Sequence, residues 1–507
     1  MSSKIDNQLL DEVADLVAER IGLHFPPERL GDLERGLSAA ASDFDFDNVE
    51  SCLRWLSSSP LTKNQIEILA SHLTVGETYF FREKKSLEIL EQSILPDLIK
   101  SRADERRLRI WSAGCCTGEE PYTIAMILAR TIPDLERWNI TLLATDINPR
   151  FLSKASAGLY SDWSFRATSE WIRSKYFHKA KNGNFEIISQ VKKLVTFAYL
   201  NLAEDAFPSL TNNTNAMDII FCRNVLMYLA SRHVTTIARN FYRCLTGSGW
   251  LVVSPSDASQ ELSSQFAIVH RSGAILYRKG TASAEQDLVF PVREQDESPI
   301  SWVPGTSRVA DPEIPACIPP EEVEPLEAPR AADEPLSPPL VEGVTYEALT
   351  LYEQGDYAAA ADQLAARLST NSEDAEAMTL SARVHANQGN LAEALAWCEK
   401  AIARQKMNPG IHYLRATILQ EQGSLDEAVR SLQRILYLDA DFALAHFTLG
   451  TIALQLGRPE ASGKHFENAR ALLATLPPEE ILPESGGITA GRLTEIILRT
   501  TPRKVLQ

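Results

Sequence analysis

The chain has 507 residues, 44% of them hydrophobic, and a formal net charge of −17; that length accommodates about three domains of ordinary size. The acidic balance argues against a nucleic-acid partner, which needs a basic patch to displace counterions. Seven scattered cysteines (52, 115, 116, 222, 244, 317, 398) without a C-x-x-C pair, and nine histidines without zinc spacing, argue against a disulfide framework or a metal site and fit reduced thiols in a cytoplasm.

The N-terminus, MSSKIDNQLLDEV, is amphipathic and acidic, unlike a signal peptide. No apolar run approaches the roughly 20 residues that cross a bilayer. The expectation is a soluble cytoplasmic protein with no direct membrane insertion. Residues 1 to about 100 read as helical, with apolar positions at helical spacing in IDNQLLDEVADLVAERIGL and VESCLRWL. The rhythm then changes. Over 101–280, β-rich runs alternate with helices: LRIWSA then TIAMILAR, TLLATDI then PRFLSKASAG, MDIIFCRNV then TTIARNFYRCL, and GWLVVSPS before a closing pair, FAIVHR and AILYRKG. Strand–helix alternation predicts a parallel sheet with right-handed crossovers, and the closing pair around Ser272–Gly273 predicts an antiparallel hairpin at one edge. Residues 281–340 hold twelve of the 27 prolines, thirteen Asp/Glu and three Arg. Such a segment buries too little apolar surface to offset its ordering entropy and reads as an extended, disordered linker.

A repeat follows. Gly355, Gly389, Gly423 and Gly457 stand 34 residues apart; Ala360, Ala394 and Ala428 follow the first three by five, and Ala348, Ala382, Ala416 and Gly450 precede the four by seven. Small residues at these points let paired helices approach, and the period is that of a tetratricopeptide solenoid. The repeats cover roughly 341–476, and a helix near Gly491–Arg499 closes a domain spanning 341–507.

Three strand ends carry chemistry. RIWSAGCCTGEEPY runs from a buried strand through Gly114 and Gly118 into a helix, LLATDIN ends on Asp146, and DIIFCRNVLMYL ends on polar groups. This is how a parallel α/β sheet holds a nucleoside-type cofactor at its carboxyl edge. Glu119 and Glu120 in the first helical turn suit the helix dipole but repel phosphate, which favours a cofactor with positive charge and no phosphate, as in S-adenosylmethionine. Asp146 lies 32 residues beyond Gly114, farther than the roughly 20 of a dinucleotide fold, and is suited to accept both ribose hydroxyls. Plain structural roles are open to the same residues: helix capping for Glu119 and Glu120, and the N-cap of the helix starting near Pro149 for Asp146.

Together with ETYFFRE (Glu77–Glu83), the segments RIWSAGCCTGEEPY, ATDIN and FCRNVLMY occur in the order found in the CheR family of chemotaxis-receptor glutamate methyltransferases, and residues of about 5–280 resemble it. The resemblance implies an α/β, class I S-adenosylmethionine-dependent methyltransferase fold with a Rossmann-like doubly wound sheet over 101–280. It also implies an N-terminal helical domain over 1–100 and a small β-subdomain near 176–199 with a turn at Asn182–Gly183. Carried over by position, Thr78 and Arg82 lie at the methionine end of the cofactor, Glu119 and Asp146 take its amino and ribose groups, Asn201 and Leu202 flank the adenine, and Arg223 and Asn224 line the floor beside the sulfonium. Gly76 stands where the family usually has Asn, which removes the side chain of one cofactor hydrogen bond. The family's second helix is often strongly basic and docks on receptor helices; here ERLGDLERGLSAAAS offers only Arg29 and Arg35.

A glutamate carboxylate, with a reference pKa near 4.3, is ionised at neutral pH and attacks a sulfonium methyl without a general base; alignment and exclusion of water suffice. This agrees with the lack of any Ser/His/Asp or Cys/His constellation, and makes Cys115, Cys116 and Cys222 core residues rather than nucleophiles. Arg82 and Tyr228 are the candidates for holding the incoming carboxylate, although a structural ion pair for Arg82 and a core role for Tyr228 fit equally. The expected substrate is the cytoplasmic helical domain of a chemoreceptor. The solenoid is expected to bind a protein or peptide partner, tethered by about 60 residues with a mean reach of roughly 45 Å and without touching the catalytic fold. Two rivals are a methyltransferase for another nucleophile and a cofactor-binding scaffold or sensor acting through its repeats.

Overall fold

The computed structural model describes residues 7–280 and 346–500, apart from 59, 181–182, 205–206, 210–211, 272–273 and 486–487. The linker, residue Asn182 of the expected turn and the tip of the closing hairpin lie outside the described residues.

Ten strands are present among the described residues: β1 Arg107–Ala113, β2 Asn139–Asp146, β3 Leu159–Tyr160, β4 Phe177–Lys179, β5 Phe185–Ile187, β6 Val195–Tyr199, β7 Met217–Cys222, β8 Leu245–Val253, β9 Ala267–Arg271 and β10 Ala274–Arg278. Seven form one sheet in the order β6-β2-β1-β7-β8-β10-β9. The first five of that order run parallel, and β10 is antiparallel to both β8 and β9. β1 and β7 are buried along their whole length, which explains why they read as continuous apolar runs rather than alternating ones. Helices Glu119–Thr131, Pro149–Ala157 and Ser231–Cys244 cover the sheet, giving two apolar layers, one around Ile110, Phe221 and Tyr122 and the other around Trp111, Ile220 and Phe241.

Two boundaries differ from the sequence reading. Val195–Tyr199 is not part of the small β-subdomain; it pairs with β2 as the edge of the main sheet. The small sheet instead recruits Leu159–Tyr160, in the order β3-β5-β4. Strand pairing over this distance is a tertiary choice that a five-residue run does not encode. At the N-terminus, the helices Asn7–Arg20, Leu30–Asp43, Val49–Ser57 and Lys63–Leu73 share one core, whereas Leu87, Leu90 and Leu95 belong to the core of the sheet. By packing, the helical cap therefore ends before residue 80.

Eight helices from Tyr346–Gln354 to Pro459–Leu473 form four consecutive pairs, and Ala490–Thr500 packs on the last. The period is set where the sequence placed it: Gly355, Gly389, Gly423 and Gly457 all have φ between +68° and +84° and turn the first helix of a pair into the second.

The solenoid is not free of the catalytic fold, contrary to the expected untouched tether. Three of its turn glycines meet the amino ends of the strands and their leads: Gly355 lies against Arg243 just before β8, Gly389 against Arg107 of β1 and Thr246 of β8, and Gly423 against Asn139 of β2. A side chain on Gly355 would come within 2.3 Å of Arg243 Cγ. Between these contacts Glu421 closes the joint. Its carboxylate accepts from Asn215 Nδ2 at 2.7 Å and from Arg107 Nη2 at 3.4 Å, and its carbonyl accepts from Asn139 Nδ2 at 2.8 Å. Both charged side chains are 6% exposed. Lys279 lies 4.6 Å from the ring centre of Tyr242 and 5.3 Å from that of Tyr357, and burial lowers its pKa to about 8. The docked rim is the amino edge of the sheet, opposite to the carboxyl edge that holds the candidate site.

Candidate functional site

The site is assembled from four loops at the carboxyl edge and one face of the helical cap. After β1 the chain turns through Gly114 (φ 78°), Cys116 (φ 49°) and Gly118 (φ 93°). Gly114 N and Cys115 N both donate to Thr145 O at the end of β2, at 2.8 and 2.9 Å. This brings Asp146 beside the turn: its Oδ2 accepts from Cys116 N at 2.8 Å and its Oδ1 from Asn148 N at 2.9 Å. Burial raises its carboxyl pKa to about 6 against the pull of these N–H donors. The N-cap of the next helix is Asn148, which accepts from Arg150 N and Phe151 N. Asp146 is thus released from the capping role that its position also allowed.

One cavity is lined by Thr78, Arg82, Gly114, Asp146, Asn201, Leu202, Arg223, Asn224 and Tyr228, nine of the eleven residues singled out from the sequence. The other two stand behind it. Glu119 is 1% exposed, and its carboxylate accepts from Thr117 Oγ1 at 2.6 Å and Ser164 Oγ at 2.9 Å. It braces the turn against the segment after β3 and does not face the cavity. The neighbouring Glu120 does, accepting from Arg223 Nε at 2.7 Å and Ser112 Oγ at 2.7 Å. The helix puts successive residues about 100° apart, so a pair such as Glu119–Glu120 cannot share a face. Gly76 lies beneath Phe151, where a Cβ would meet the ring at 2.8 Å; Phe151 itself lines the cavity.

The ETYFFRE loop is backbone-strained around its arginine. Phe81 and Glu83, on either side of Arg82, have φ of 60° and 56°, a conformation that costs a non-glycine residue about 1 kcal/mol or more and persists only where surrounding contacts hold it. Those contacts are visible: Phe81 N donates to Thr123 Oγ1 at 3.2 Å, and Arg82 O accepts from Arg223 Nη1 at 2.8 Å. Arg82 is left half-buried at the mouth, its guanidinium donating to Glu77 O and facing the ring of Tyr79. Asn201 is 2% exposed and ties the wall to the cap through Arg20 O at 2.9 Å. Cap residues Leu23, His24, Phe25 and Arg29 complete the wall. Tyr228 O accepts from His24 N at 2.8 Å, and the Arg29 guanidinium lies 5.5 Å from the Tyr228 ring centre.

Asp257 escaped the sequence reading. It is 2% exposed, and its carboxylate collects the backbone N–H groups of Asn224, Val225 (3.2 Å) and Met227 (3.0 Å) and the Ser254 hydroxyl (2.6 Å). It holds Asn224 at φ 59° and so shapes the FCRNVLMY loop. The signal in the sequence was its place in the turn after β8, in VVSPSDAS, four residues beyond Val253. Burial raises the thiol pKa values of Cys115, Cys116 and Cys222, which keeps them protonated and unreactive, as expected.

The donors fit a sulfonium-bearing nucleoside. A buried carboxylate sits at the end of the second strand, a second carboxylate stands beside the turn, apolar Ile147 and Leu202 flank them, and the turn offers no lysine for a phosphate. A Rossmann-like sheet of this order with such a site is an S-adenosylmethionine-dependent methyltransferase. The family described as "CheR methyltransferase, SAM binding domain" matches residues 76–275, and "Tetratricopeptide repeat" matches 347–409 and 413–477. Chemotaxis protein methyltransferase 2 of Vibrio cholerae is 35% identical over 40% of this chain and 69% of its own length. The chemotaxis protein methyltransferase of Borreliella burgdorferi is 29% identical over 51% and 90%. The probable biofilm formation methyltransferase WspC of Pseudomonas aeruginosa is 26% identical over 91% of this chain and 98% of its own, so the likeness extends through the repeats. The chain belongs to the CheR methyltransferase family, with S-adenosylmethionine as its cofactor. Among the described residues no helix is long and apolar enough to cross a membrane.

Proposed function

We propose that the chain transfers the methyl group of S-adenosylmethionine to glutamate side chains on the cytoplasmic helices of a chemoreceptor, within a cytoplasmic chemosensory pathway. The observation that carries this reading is the cavity itself: Arg82 and Tyr228 line it together with Asp146 and the cap residues Leu23, Phe25 and Arg29. The names of the relatives, chemotaxis and biofilm-formation methyltransferases, support it.

When bound, the cofactor supplies an electrophilic methyl carbon activated by sulfonium. The residues of this chain do the rest. Asp146 receives the ribose hydroxyls, Asn201 and Leu202 wall the adenine, and Thr78 and Glu120 face the methionyl end. Arg223, neutralised by Glu120, forms a floor that adds little net charge beside the sulfonium. Arg82 draws in the substrate carboxylate, Tyr228 donates to the oxygen that does not attack, and the cap excludes water from the nucleophile. The product ester removes one negative charge from a receptor helix, enough to bias a two-state bundle.

Incubation with radiolabelled S-adenosylmethionine and a soluble receptor signalling domain, followed by alkaline release of methanol, tests the reading. Base-labile label that is lost on Glu→Gln replacement in the receptor is the expected result. Base-stable label would mean a different nucleophile, and cofactor binding without transfer to any receptor domain would favour the scaffold reading.

A further inference from the structure

Arg82 stands in the cavity as a cation without a counter-ion, and the charges around it explain how. Among the described residues three carboxylates line the cavity with it, Glu77, Glu120 and Asp146, and Glu83 follows it in the chain. Asp146 is held by backbone N–H groups. Glu120 and Glu83 both pair with Arg223, at 2.7 and 3.8 Å. Glu77 is the closest rival for Arg82, because its carbonyl accepts from Arg82 Nη1 at 2.5 Å and its side chain starts beside that guanidinium. Its carboxylate is instead taken by Arg166. Among the described residues no carboxylate pairs with Arg82.

Arg166 is fixed where it can hold Glu77. Its guanidinium lies 3.9 Å from the ring centre of Tyr79 and 4.5 Å from that of Trp163, and its Nη1 donates to Trp163 O at 2.8 Å. Contact with two rings and a carbonyl orients the planar donor fork, which leaves its other nitrogen for the carboxylate. The Arg166 side chain is 23% exposed against 56% for Glu77, so the arginine is the anchored member of the pair and the glutamate the movable one. The segment that carries Arg166 is braced by Glu119, which accepts from Ser164 Oγ at 2.9 Å. The same segment holds the ETYFFRE backbone: Phe80 N donates to Ser164 O at 2.9 Å, and Thr168 Oγ1 donates to Phe80 O at 3.3 Å. Neither bond uses the Arg166 side chain, so the loop keeps these fastenings when that charge is removed.

We infer that Arg166 is a positioning residue for methyl transfer: by holding the Glu77 carboxylate it keeps Arg82 open to the carboxylate of the incoming substrate. Without that hold, Glu77 swings to Arg82, closes the site from within and adds a negative charge where the substrate must bring its own. A rival that occupies Arg82 nine-tenths of the time weakens apparent substrate affinity about tenfold. The role in transfer rests on the glutamate reading above; the sequestration of Glu77 does not.

The test uses the full chain with Arg166→Met, which keeps an apolar stem against Trp163 and Tyr79 but carries no charge. Methyl transfer to a soluble receptor signalling domain should show KM raised severalfold, up to about tenfold, with kcat and calorimetric affinity for S-adenosylmethionine close to wild type. Adding Glu77→Gln removes the rival carboxylate and should bring KM back toward wild type. A purely structural role for Arg166 predicts no such recovery. The second readout needs no substrate: phenylglyoxal attacks unpaired guanidinium groups, and mass spectrometry should find Arg82 labelled more slowly in Arg166→Met and at the wild-type rate in the double variant. Unchanged KM and labelling in Arg166→Met, equal KM in the single and double variants, or loss of cofactor binding in Arg166→Met would each overturn the assignment. No transfer to any receptor domain by wild type, with the labelling pattern as expected, would count against the glutamate reading and leave the sequestration of Glu77 standing.

Discussion

Replacing Glu421 with alanine should undock the solenoid from the sheet. The carboxylate of Glu421 faces Arg107 Nη2 and Asn215 Nδ2, and both charged side chains of the pair are 6% exposed. Among the described residues Arg107 Nε has no hydrogen-bond partner and Glu421 is the carboxylate that pairs with its guanidinium. Removing one member of a buried pair while the other stays buried costs about 3–5 kcal/mol. The Asn215 amide, also buried, loses its 2.7 Å acceptor in the same step. The chain can escape this penalty by letting water reach Arg107, which means separating the turn glycines Gly355, Gly389 and Gly423 from the strand ends. A loss of about 3 kcal/mol shifts the docked-to-undocked ratio roughly a hundredfold or more. Small-angle scattering should report a larger radius of gyration for Glu421→Ala, and hydrogen exchange should rise at Arg107–Arg109 and at Asn215–Ala216. Glu421→Gln, which keeps an acceptor for Asn215, should fall between the two. A scattering curve and exchange pattern identical to wild type would refute the argument that this ion pair clamps the joint.

Four further outcomes follow from the site. If Asp146 accepts both ribose hydroxyls as proposed, Asp146→Ala removes two charge-assisted hydrogen bonds, each worth about 1.5–3 kcal/mol, and calorimetry should find S-adenosylmethionine affinity reduced at least about tenfold. The pH dependence has a definite sign. Burial places the Asp146 carboxyl near 6, so its ionised form is disfavoured in the free protein. Folding stability owed to this group is full below about pH 4 and is lost as pH rises through 6. The proposed ribose contact needs the ionised acceptor, so affinity should fall as pH drops below 6, and Asp146→Asn should flatten that slope. Asp257→Ala frees the N–H groups of Asn224, Val225 and Met227; a displacement of the FCRNVLMY loop by about 1 Å would lower turnover by up to roughly a hundredfold, seen in initial rates of methyl transfer, while far-ultraviolet dichroism stays that of the wild type. Arg82→Lys keeps the charge but loses the planar donor fork; it should raise KM for the receptor domain more than it changes affinity for the cofactor, and equal changes in both would move Arg82 from the mouth to the floor.

The sequence by itself determined what depends on local pattern. Continuous apolar runs ending in glycine, acid and amide specify parallel strands with chemistry at their carboxyl ends, because only a buried strand tolerates such a run and only the end of one exposes polar groups to a crevice. The 34-residue glycine period specified the solenoid, because only a residue free to adopt φ near +80° turns each helix pair in the same way. Those two patterns gave the fold class, the kind of cofactor, Gly114 and Asp146; the other seven of the nine candidate residues that share the cavity came from the motifs that carry the resemblance to the CheR family. Tertiary structure alone decided the rest. Which of Glu119 and Glu120 faces the cavity depends on the rotation of a helix against its sheet, and the phase is fixed by Ser164, 45 residues away. The role of Asp257 depends on two loops meeting across the sheet edge. The docking of Glu421 on Arg107 joins residues 314 apart, and that of Glu484 on Arg383 joins residues 101 apart. A charged residue in a repeat reads the same in sequence whether it faces water or a buried arginine, since what separates the two is removal of solvent by a distant surface.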